Sequence, residues 1–400
     1  MKGRSLWVDN QPISIFSEEV GAFYYEERAL LIAKSKDIVI LDYKIDNEYL
    51  CQLRKIPEYK FVYLISLNSR YYDLVESILK WEKVDLLTRC LKKYNYVLRS
   101  YIPDERIKLL SQYLKLNCYG YNFYEAYKEQ LNLITLLQEV NCNYIETLQL
   151  DTTNKKSAIN FIKKYRSSLI KPNISIGGKN IKEVNNPMDV NRFYALNNKI
   201  NAYIMQRKIK KDFEGSIQFL FENGVFHIYI CETFNPNNSY SGFCYPCELD
   251  LLNELKKDAE NILTVLNQKY KTDMDCFGID FIISDRKIFY HDLNARKTAV
   301  TYVLSFLKKI IRDFDTHKNL KIICMYFRIK KKILYSILLE IVKNSNIPDL
   351  IETGEGLMII NPSTINLGLI QIISASFIDK EKAYLINFEK ELKRRGVDIL

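Results

Sequence analysis

Short apolar runs alternate with amphipathic segments along the first 125 or so residues of the chain. The apolar runs Asp37–Asp42 and Phe61–Ile65 predict buried strands, and the amphipathic segments Tyr71–Glu82 and Asp104–Lys115 predict helices. Strands that alternate with helices are typical of a parallel sheet. We therefore predict a small open α/β domain over residues 1–125.

From residue 126 to about 200 the pattern predicts a helix, a strand, a Gly-containing loop and another helix. Apolar segments then predict an antiparallel meander with strands at Tyr203–Ile209, Ser216–Phe221 and Val225–Cys231. The other predicted elements are a helix at Glu248–Tyr270, a hairpin with strands Phe277–Ile283 and Ile288–Asn294, and helices at residues 300–313 and 380–395.

Residues 356–378 carry no charged side chain. The stretch contains polar residues such as Asn361, Asn366 and Gln371, whose side chains would be costly at the centre of a bilayer. We therefore predict a soluble loop followed by a buried segment, and no membrane association.

The composition is that of a soluble globular protein with two or three domains, because 48% of the 400 residues are hydrophobic and 26% are charged.

The net charge of +10 suggests an anionic partner such as a nucleotide, a nucleic acid or an acidic protein. No nucleic-acid-binding motif accompanies it. The basic run between Lys308 and Lys332 is predicted to be a solvated face in preference to a docking patch. Nine cysteines without a regular spacing predict free thiols in a reducing cytoplasm, and we expect a structural or incidental role for the close pair Cys244 and Cys247.

The predicted hairpin carries the most specific chemistry in the sequence. Asp280 lies in an apolar strand, and Asp292 and Asn294 are two residues apart on the next strand, so their side chains leave the same face. A short turn would place residue 280 opposite 291 or 292, depending on whether a β-bulge is present. Two carboxylates and an amide oxygen suit Mg²⁺. The alternative is an ordinary edge hairpin with polar residues facing solvent.

A second candidate site lies in the segment from Leu169 to Ile181. Lys171 ends a predicted strand, and Gly177 and Gly178 follow in a loop where backbone N–H groups could approach phosphates closely. The spacing is neither that of a Walker A loop nor that of a dinucleotide-binding fingerprint, and a Gly-Gly turn after a strand is usually only a turn.

These features resemble the ATP-grasp superfamily in their order and spacing. The resemblance covers about residues 126–315 and implies an ATP-grasp fold of the α/β (α+β) class. The N-terminal α/β domain of residues 1–125 would be the pre-ATP-grasp domain, and residues 316–400 would be a C-terminal extension that packs on the ATP-grasp core.

The resemblance also implies the ligands, which are ATP and Mg²⁺, and a role for each candidate residue. Lys171 would contact the α- and β-phosphates, and a flap over the phosphates would contain Ser175, Gly177 and Gly178. The adenine would be held by Gln206, Arg207 and Ile209, with Glu214 at the ribose. Asp280, Asp292 and Asn294 would be the metal ligands, and Arg296 the catalytic contact to the transferring phosphate.

A closer resemblance is to the pheganomycin-type peptide ligases. It rests on Asn238–Pro246, which is similar to their Y-x-G…P loop, on Asn294–Thr298, similar to their N-x-R-K segment, and on Gly354–Leu357. Two departures accompany it. The earlier phosphate-binding lysine of the family is offset to Lys128 or replaced by Gln130, and Asp292 stands where glutamate is commoner.

The activity implied is an ADP-forming ligation of a small carboxylate to an amine, an amino acid or peptide, through an acyl-phosphate. Two alternatives stay open. One is transfer of the acyl group to the thiol of a carrier protein, and the other is a non-catalytic nucleotide-binding scaffold derived from the fold. We expect a cytoplasmic protein with no nucleic acid or membrane partner, and we expect Tyr240 and Arg296 to border the acceptor side of the site.

Overall fold

The computed structural model describes residues 4–10, 22–69, 73–174, 180–197, 199–222, 224–236, 240–271 and 273–399, with the backbone only at residues 22 and 23. Three sheets organise these residues: one parallel sheet of five strands and two antiparallel sheets of four and eight strands.

The first sheet is parallel and has the strand order β3-β2-β1-β4-β5. Its strands are β1 Ser5–Trp7, β2 Ile38–Leu41, β3 Tyr63–Ser66, β4 Val97–Arg99 and β5 Asn117–Cys118. The helices of this region are α1 Ala29–Ile32, α2 Asn47–Leu53, α3 Leu74–Leu79, α4 Val84–Lys93 and α5 Glu105–Leu114. The predicted strands and helices of this region exist, and residues 71 and 72 of the first predicted helix lie outside the described residues. The strand predicted at Phe61–Ile65 is not buried, however, because β3 is at the edge of the sheet and Tyr63 is 55% exposed. The strand order reverses between β1 and β4, and such a switch point is where open α/β sheets bind ligands.

The second sheet is antiparallel and has four strands in the order β6-β9-β7-β8. After helices α6 Tyr121–Tyr127 and α7 Gln130–Glu139, it consists of β6 Thr147–Gln149, β7 Ser168–Pro172, β8 Lys182–Val184 and β9 Tyr203–Arg207, with helices α8 Lys155–Tyr165 and α9 Pro187–Leu196. The strand predicted at Tyr203–Ile209 exists, but its placement in the meander is wrong. It pairs with β6 and β7 and not with the strands that follow it.

The third sheet is antiparallel and has eight strands in the order β14-β13-β10-β11-β12-β15-β17-β16. They are β10 Phe213–Glu222, β11 Val225–Phe234, β12 Gly242–Tyr245, β13 Cys276–Ser284, β14 Lys287–Asn294, β15 Lys321–Arg328, β16 Gly356–Ile360 and β17 Leu369–Ser376. Its helices are α10 Leu252–Tyr270, α11 Ala299–Ile310, α12 Tyr335–Asn344, α13 Leu350–Thr353 and α14 Glu381–Arg394. The predicted hairpin and long helices are confirmed.

The uncharged stretch 356–378 forms part of this sheet. Strand β17 is the buried segment that we predicted, but the loop predicted before it is wrong at its start, because β16 is a strand with every residue buried. None of the described helices is long and apolar enough to cross a membrane.

Two further sequence predictions can be compared with the structure. All nine cysteines are free thiols, as predicted. The basic run is not simply a solvated face: Lys308 forms ion pairs with Glu222 and Asp315, at 2.7 and 2.8 Å. The ammonium of Lys309 donates to the carbonyl oxygens of Leu31 and Ala33, at 2.9 and 2.7 Å, and so joins α11 to the N-terminal sheet region.

Candidate functional site

The β13–β14 hairpin brings the predicted metal ligands together. Asp280 lies opposite Asp292 and Gly278 opposite Asn294, and the register shifts between Asp280 and Phe281. The bulge predicted as one of two alternatives is therefore present. Asn294 Nδ2 donates to Asp280 Oδ2 at 3.1 Å.

The turn and the bulge together fix this register. Asp285 and Arg286 both have positive φ, 48° and 58°, as the two central residues of a type I′ hairpin turn require. His291 is the extra residue of the bulge, because Tyr290 pairs with Phe281 while Asp292 pairs with Asp280. Without it, Asp292 and Asn294 would change faces relative to Asp280.

The two carboxylates of the hairpin are partly buried and repel each other. Burial and, to a smaller extent, the neighbouring Asp292 together raise the pKa of Asp280 to about 7. Burial also raises the pKa of Asp292, against the attraction of Lys171 and Arg296. A divalent cation between the carboxylates would relieve this repulsion.

The donor set fits magnesium bound together with a nucleotide. Mg²⁺ commonly takes one or two carboxylates from the protein and completes its shell with phosphate oxygens and water. Among the described residues no group of three or more His, Cys, Asp or Glu side chains could hold a metal ion by itself. The hairpin supplies two carboxylates and an amide, which suits a metal that is carried in with phosphates.

Lys171 faces this hairpin from the second sheet. It lies on β7 opposite Ile204 of β9 and is only 5% exposed. Burial lowers the pKa of Lys171 to about 8, while Asp292 and Asp280 act in the opposite direction. A buried ammonium beside two partly buried carboxylates would suit one end of a phosphate site.

The start of α7, where the resemblance predicts a phosphate-binding lysine at Lys128 or Gln130, contacts the hairpin. Gln130 Nε2 donates to Asp292 Oδ1 at 3.3 Å, and Gln130 Oε1 has no partner among the described residues. Lys128 instead pairs with Glu125 at 2.6 Å. A cleft between α7 and the hairpin contains both positions; it is lined by Tyr124, Lys128, Gln130, Ile174, Asp292, Leu293, Asn294, Ala295 and Arg296.

The residues predicted at the adenine and ribose do not all share one face. Gln206 is buried and donates to Thr147 Oγ1 at 3.1 Å. Ile209 packs in a small cluster with Ile145 and Ile282, beside the hairpin. Arg207 points to the opposite side of β9 from Gln206 and pairs with Glu146 at 3.2 Å. Arg207 is therefore not brought together with the other predicted residues.

Glu214 lies at the start of β10 and pairs with Lys211 at 2.8 Å. Its charge is one of those that raise the pKa of Asp280, so it is close to the metal hairpin. Ser175, Gly177 and Gly178, the predicted flap, lie outside the described residues.

Arg296 joins the hairpin to the N-terminal sheet. Its Nη1 donates to Tyr101 Oη at 3.0 Å and to the carbonyl oxygen of Lys297 at 3.2 Å. Lys297 Nζ donates to the carbonyl oxygen of Ser100 at 2.9 Å. The end of β14 is therefore tied to the carboxyl end of β4.

Tyr240 precedes β12 and lies near both Tyr326 of β15 and Asp280 of the hairpin. Its ring centroid is 6.1 Å from that of Tyr326, and its buried hydroxyl has no hydrogen-bond partner among the described residues. Burial raises the pKa of the Tyr240 phenol, and the charge of Asp280 adds to that effect.

Three side chains near the site were not predicted from the sequence. His291 Nε2 is buried without a partner, and burial and the charge of Lys171 lower the pKa of this imidazole. Ser216 lies opposite Asp280, and Tyr101 contacts Arg296. The possible bulge was the one sequence signal for His291, because an extra residue next to a hairpin pair changes which side chains face the site.

The family comparison matches residues 141–300 to the ATP-grasp domain. No curated protein matches the sequence. The solved structure of carboxyaminoimidazole ribonucleotide synthase from Aspergillus clavatus, complexed with ATP, is similar over 98% of this chain and 99% of its own, with a TM-score of 0.59 and 11% identity.

Two further solved structures cover nearly the whole chain. N5-carboxyaminoimidazole synthetase from Staphylococcus aureus, complexed with ADP, has a TM-score of 0.57 and 13% identity over 96% of this chain and 97% of its own. The biotin carboxylase domain of 2-oxoglutarate carboxylase from Hydrogenobacter thermophilus, complexed with MgADP and bicarbonate, has a TM-score of 0.59 and 10% identity over 99% of this chain and 90% of its own.

The predicted fold class is thereby confirmed, whereas the likeness to pheganomycin-type peptide ligases and the domain boundaries at 125 and 315 stay predictions. The chain has the ATP-grasp fold, with an ATP-grasp domain at residues 141–300 and a parallel-sheet domain before it.

Proposed function

We propose that the chain is an ATP-dependent, ADP-forming ligase that joins a carboxylate to an amine through an acyl-phosphate. One observation carries the proposal: Asp280 and Asp292 face each other on the hairpin, with the ammonium of Lys171 and the guanidinium of Arg296 close enough to act on the charge of Asp292. The solved structures of the same fold that hold ATP, ADP or MgADP support it.

The ligands proposed for this site are ATP and Mg²⁺. Asp280, Asp292 and Asn294 would hold the metal, and Lys171 would contact the α- and β-phosphates from the facing sheet. Gln206 and Ile209 would border the adenine and Glu214 the ribose, while Arg207 is a weaker candidate because it pairs with Glu146. Bound Mg²⁺ neutralises charge on the phosphates.

The proposed reaction makes a poor electrophile reactive in two steps. A substrate carboxylate oxygen attacks the γ-phosphorus, the bond to ADP breaks, and an acyl-phosphate forms. The amine then attacks the acyl carbon, phosphate leaves, and the nitrogen loses a proton. Arg296 is positioned to stabilise the negative charge of the transferring phosphoryl group and of the tetrahedral intermediate. The predicted flap of Ser175, Gly177 and Gly178 would exclude water from the acyl-phosphate.

ADP release in the presence of Mg²⁺ and a panel of carboxylates tests the proposal. Hydroxylamine should trap the activated acyl group as a hydroxamate in the wild type. Asp292→Ala should lower the rate of ADP release by about 100-fold or more, because it removes a metal ligand and leaves Asp280 alone. The matched control is Asp285→Asn, which removes an exposed carboxylate in the turn of the same hairpin but keeps a residue that tolerates positive φ, and it should retain the wild-type rate.

Mg²⁺-dependent ATP binding without ADP release for any carboxylate and amine would overturn the proposal and favour the non-catalytic nucleotide-binding scaffold. Failure of the wild type to bind Mg²⁺ and ATP together would contradict both. The scaffold alternative depends on the absence of the early lysine, whose position would be taken by Lys128 or by Gln130, which contacts Asp292. Preferential trapping by a carrier-protein thiol would instead favour the thioester alternative. That alternative has lost support, since Lys308 and Lys309 of the basic run are engaged in internal contacts.

A further inference from the structure

A cluster of buried polar side chains at the carboxyl edge of the N-terminal sheet lacks partners. Asp9 Oδ1, Asn10 Nδ2, Arg28 Nη2 and Ser100 Oγ are all buried and have no hydrogen-bond partner among the described residues. The four side chains are between 0 and 5% exposed. An unsatisfied buried polar atom destabilises the folded protein, so four of them at the same edge of the sheet indicate a ligand site.

The position of the cluster in the fold supports the same conclusion. Asp9 and Asn10 follow β1, and Ser100 follows β4, the two strands between which the strand order reverses. Ligands of open α/β sheets bind in the crevice at this switch point.

Arg28 is the cationic side of the cluster. Its guanidinium carbon lies 4.5 Å from the ring centroid of Tyr101, 4.9 Å from that of Tyr25 and 5.3 Å from that of Tyr302. Nε donates to the carbonyl oxygen of Tyr25 at 3.2 Å, and Arg28 forms no ion pair with a carboxylate among the described residues. A guanidinium held by aromatic rings with a free N–H edge is suited to a carboxylate.

Asp9 is the anionic side. Its Oδ2 accepts a hydrogen bond from Tyr302 Oη at 2.6 Å, and its Oδ1 is free. Burial raises the pKa of Asp9 to about 6, against the charges of Lys297 and Arg28, so the carboxylate is mainly ionised at neutral pH. A free oxygen of a buried carboxylate is suited to an ammonium group.

Tyr101 connects this cluster to the proposed reaction site. Its ring is 4.5 Å from the guanidinium carbon of Arg28 and 5.2 Å from that of Arg296. Arg296 in turn lines the cleft that contains Asp292. The Tyr101 ring therefore contacts both Arg28, which would hold the ligand, and Arg296, which lines the cleft where the acyl-phosphate would form.

We propose that the cluster binds the amine substrate of the ligase and that this substrate is an α-amino acid. Arg28 and Asn10 hold its α-carboxylate, and Asp9 accepts a hydrogen bond from its α-ammonium. The carboxylate to be phosphorylated must instead lie against Arg296 and the metal hairpin, so the amino acid bound here is not the acyl donor. The inference rests on the proposed ligase function for its role, but binding of the amino acid can be tested without any reaction.

Ligand-observed NMR with a mixture of the twenty L-α-amino acids tests the inference, with and without Mg²⁺ and a non-hydrolysable ATP analogue. At least one amino acid should show saturation transfer from the wild-type protein. Its carboxamide and its N-acetyl derivative should bind about ten-fold or more weakly, since each leaves one buried charge unpaired. Equal binding of either derivative, or no binding of any amino acid in both conditions, would overturn the inference.

Variants locate the site. Arg28→Met and Asp9→Asn should each weaken binding of that amino acid by about ten-fold or more, and Arg28→Lys should weaken it less than Arg28→Met. Arg89→Met and Asp85→Asn, at exposed positions of α4, are the matched controls and should bind as the wild type does. Wild-type affinity in folded Arg28→Met would show that the amino acid binds elsewhere.

The same samples separate this inference from the proposed function. Mg²⁺-dependent binding of the ATP analogue is measured alongside, and it should be unchanged in Asp9→Asn. Failure of the wild type to bind the ATP analogue would contradict the ligase proposal, whereas amino-acid binding could still be measured in the same samples. If hydroxylamine traps a hydroxamate but no amino acid stimulates ADP release, the chain is a ligase whose amine is not an α-amino acid. That outcome would support the proposed function and overturn this inference.

Discussion

Lys171 connects the burial of a single side chain to nucleotide binding. Its pKa is lowered to about 8 chiefly by burial, and phosphates beside it would favour the charged form and raise that pKa again. Ligand-free protein above pH 8 would then have to take up a proton in order to bind ATP. The affinity should fall as the pH rises beyond 8, by at most about ten-fold per pH unit.

Isothermal titration at pH 7 and pH 9.5 measures this effect. Lys171→Met should bind ATP more weakly at pH 7, by about ten-fold or more, and should lose the pH dependence that Lys171 causes. Lys156→Met, at an exposed position of α8, should keep the wild-type profile. A wild-type profile in Lys171→Met would remove Lys171 from the site.

Individual site residues could be predicted from the sequence where their contacts depend on local spacing. Asp280, Asp292 and Asn294 could be placed together because a hairpin makes neighbours of residues that are close in sequence. Asp9 and Arg28 could not be placed, since their partners Tyr302 and Tyr101 are distant in the chain. The pairing of Gln130 with Asp292 likewise depends on how α7 packs on the hairpin.

Among the elements, the positions of strands were easier to predict than the pairing between strands. An apolar segment indicates a strand, but it does not say which strand lies beside it. β9 was therefore assigned to the meander, although it pairs with β6 and β7 in a separate sheet. The hairpins β10–β11 and β13–β14 were correct because a short turn fixes their pairing.

The packing of β10 on its neighbours gives a prediction at the scale of the element. A Cβ added to Gly215 would lie 2.5 Å from the Phe281 ring and 2.6 Å from the carbonyl oxygen of Cys231. Gly215→Ala should lower the free energy of unfolding by about 1–3 kcal/mol, because backbone has to move between two paired strands. Denaturant unfolding measures the change.

Gly224→Ala separates crowding from backbone strain. Gly224 has a φ of +91°, but an added Cβ would meet no described atom within 4 Å. Gly224→Ala should lower the free energy of unfolding by only about 1 kcal/mol, which is the strain of a non-glycine residue at positive φ. If Gly215→Ala unfolds at the wild-type denaturant concentration, the close packing of β10, β11 and β13 is not what the structure indicates.

Across the whole molecule, two ionisable side chains join distant regions: Lys309, which is partly buried, and Glu27, which is buried. Lys309 of α11 donates to the carbonyl oxygens of Leu31 and Ala33. Glu27 accepts from Ser363 N at 2.7 Å and from Ser363 Oγ at 2.9 Å, so the N-terminal region contacts the segment between β16 and β17. One continuous hydrophobic core accompanies these contacts and includes Trp7 together with Phe388.

Glu27 makes the stability of this assembly depend on pH. Burial raises the pKa of Glu27 to about 8 from the ordinary value of 4.5. Between these values the folded protein keeps a proton that the unfolded chain has lost, so ionisation stabilises the unfolded state. The contribution of Glu27 to the free energy of unfolding should therefore decrease from pH 4.5 to pH 8 and change little above pH 8, with a slope of at most about 1.4 kcal/mol per pH unit.

Glu27→Gln keeps the shape of the side chain and removes its titration. Denaturant unfolding at a series of pH values between 5 and 9 should give a flatter curve for Glu27→Gln than for the wild type, so that the variant gains relative stability as the pH rises. Glu58→Gln, at an exposed position, should run parallel to the wild type. Parallel curves for Glu27→Gln as well would mean that Glu27 is already ionised in the folded protein, and that Ser363 N and Oγ bind a carboxylate and not a carboxylic acid.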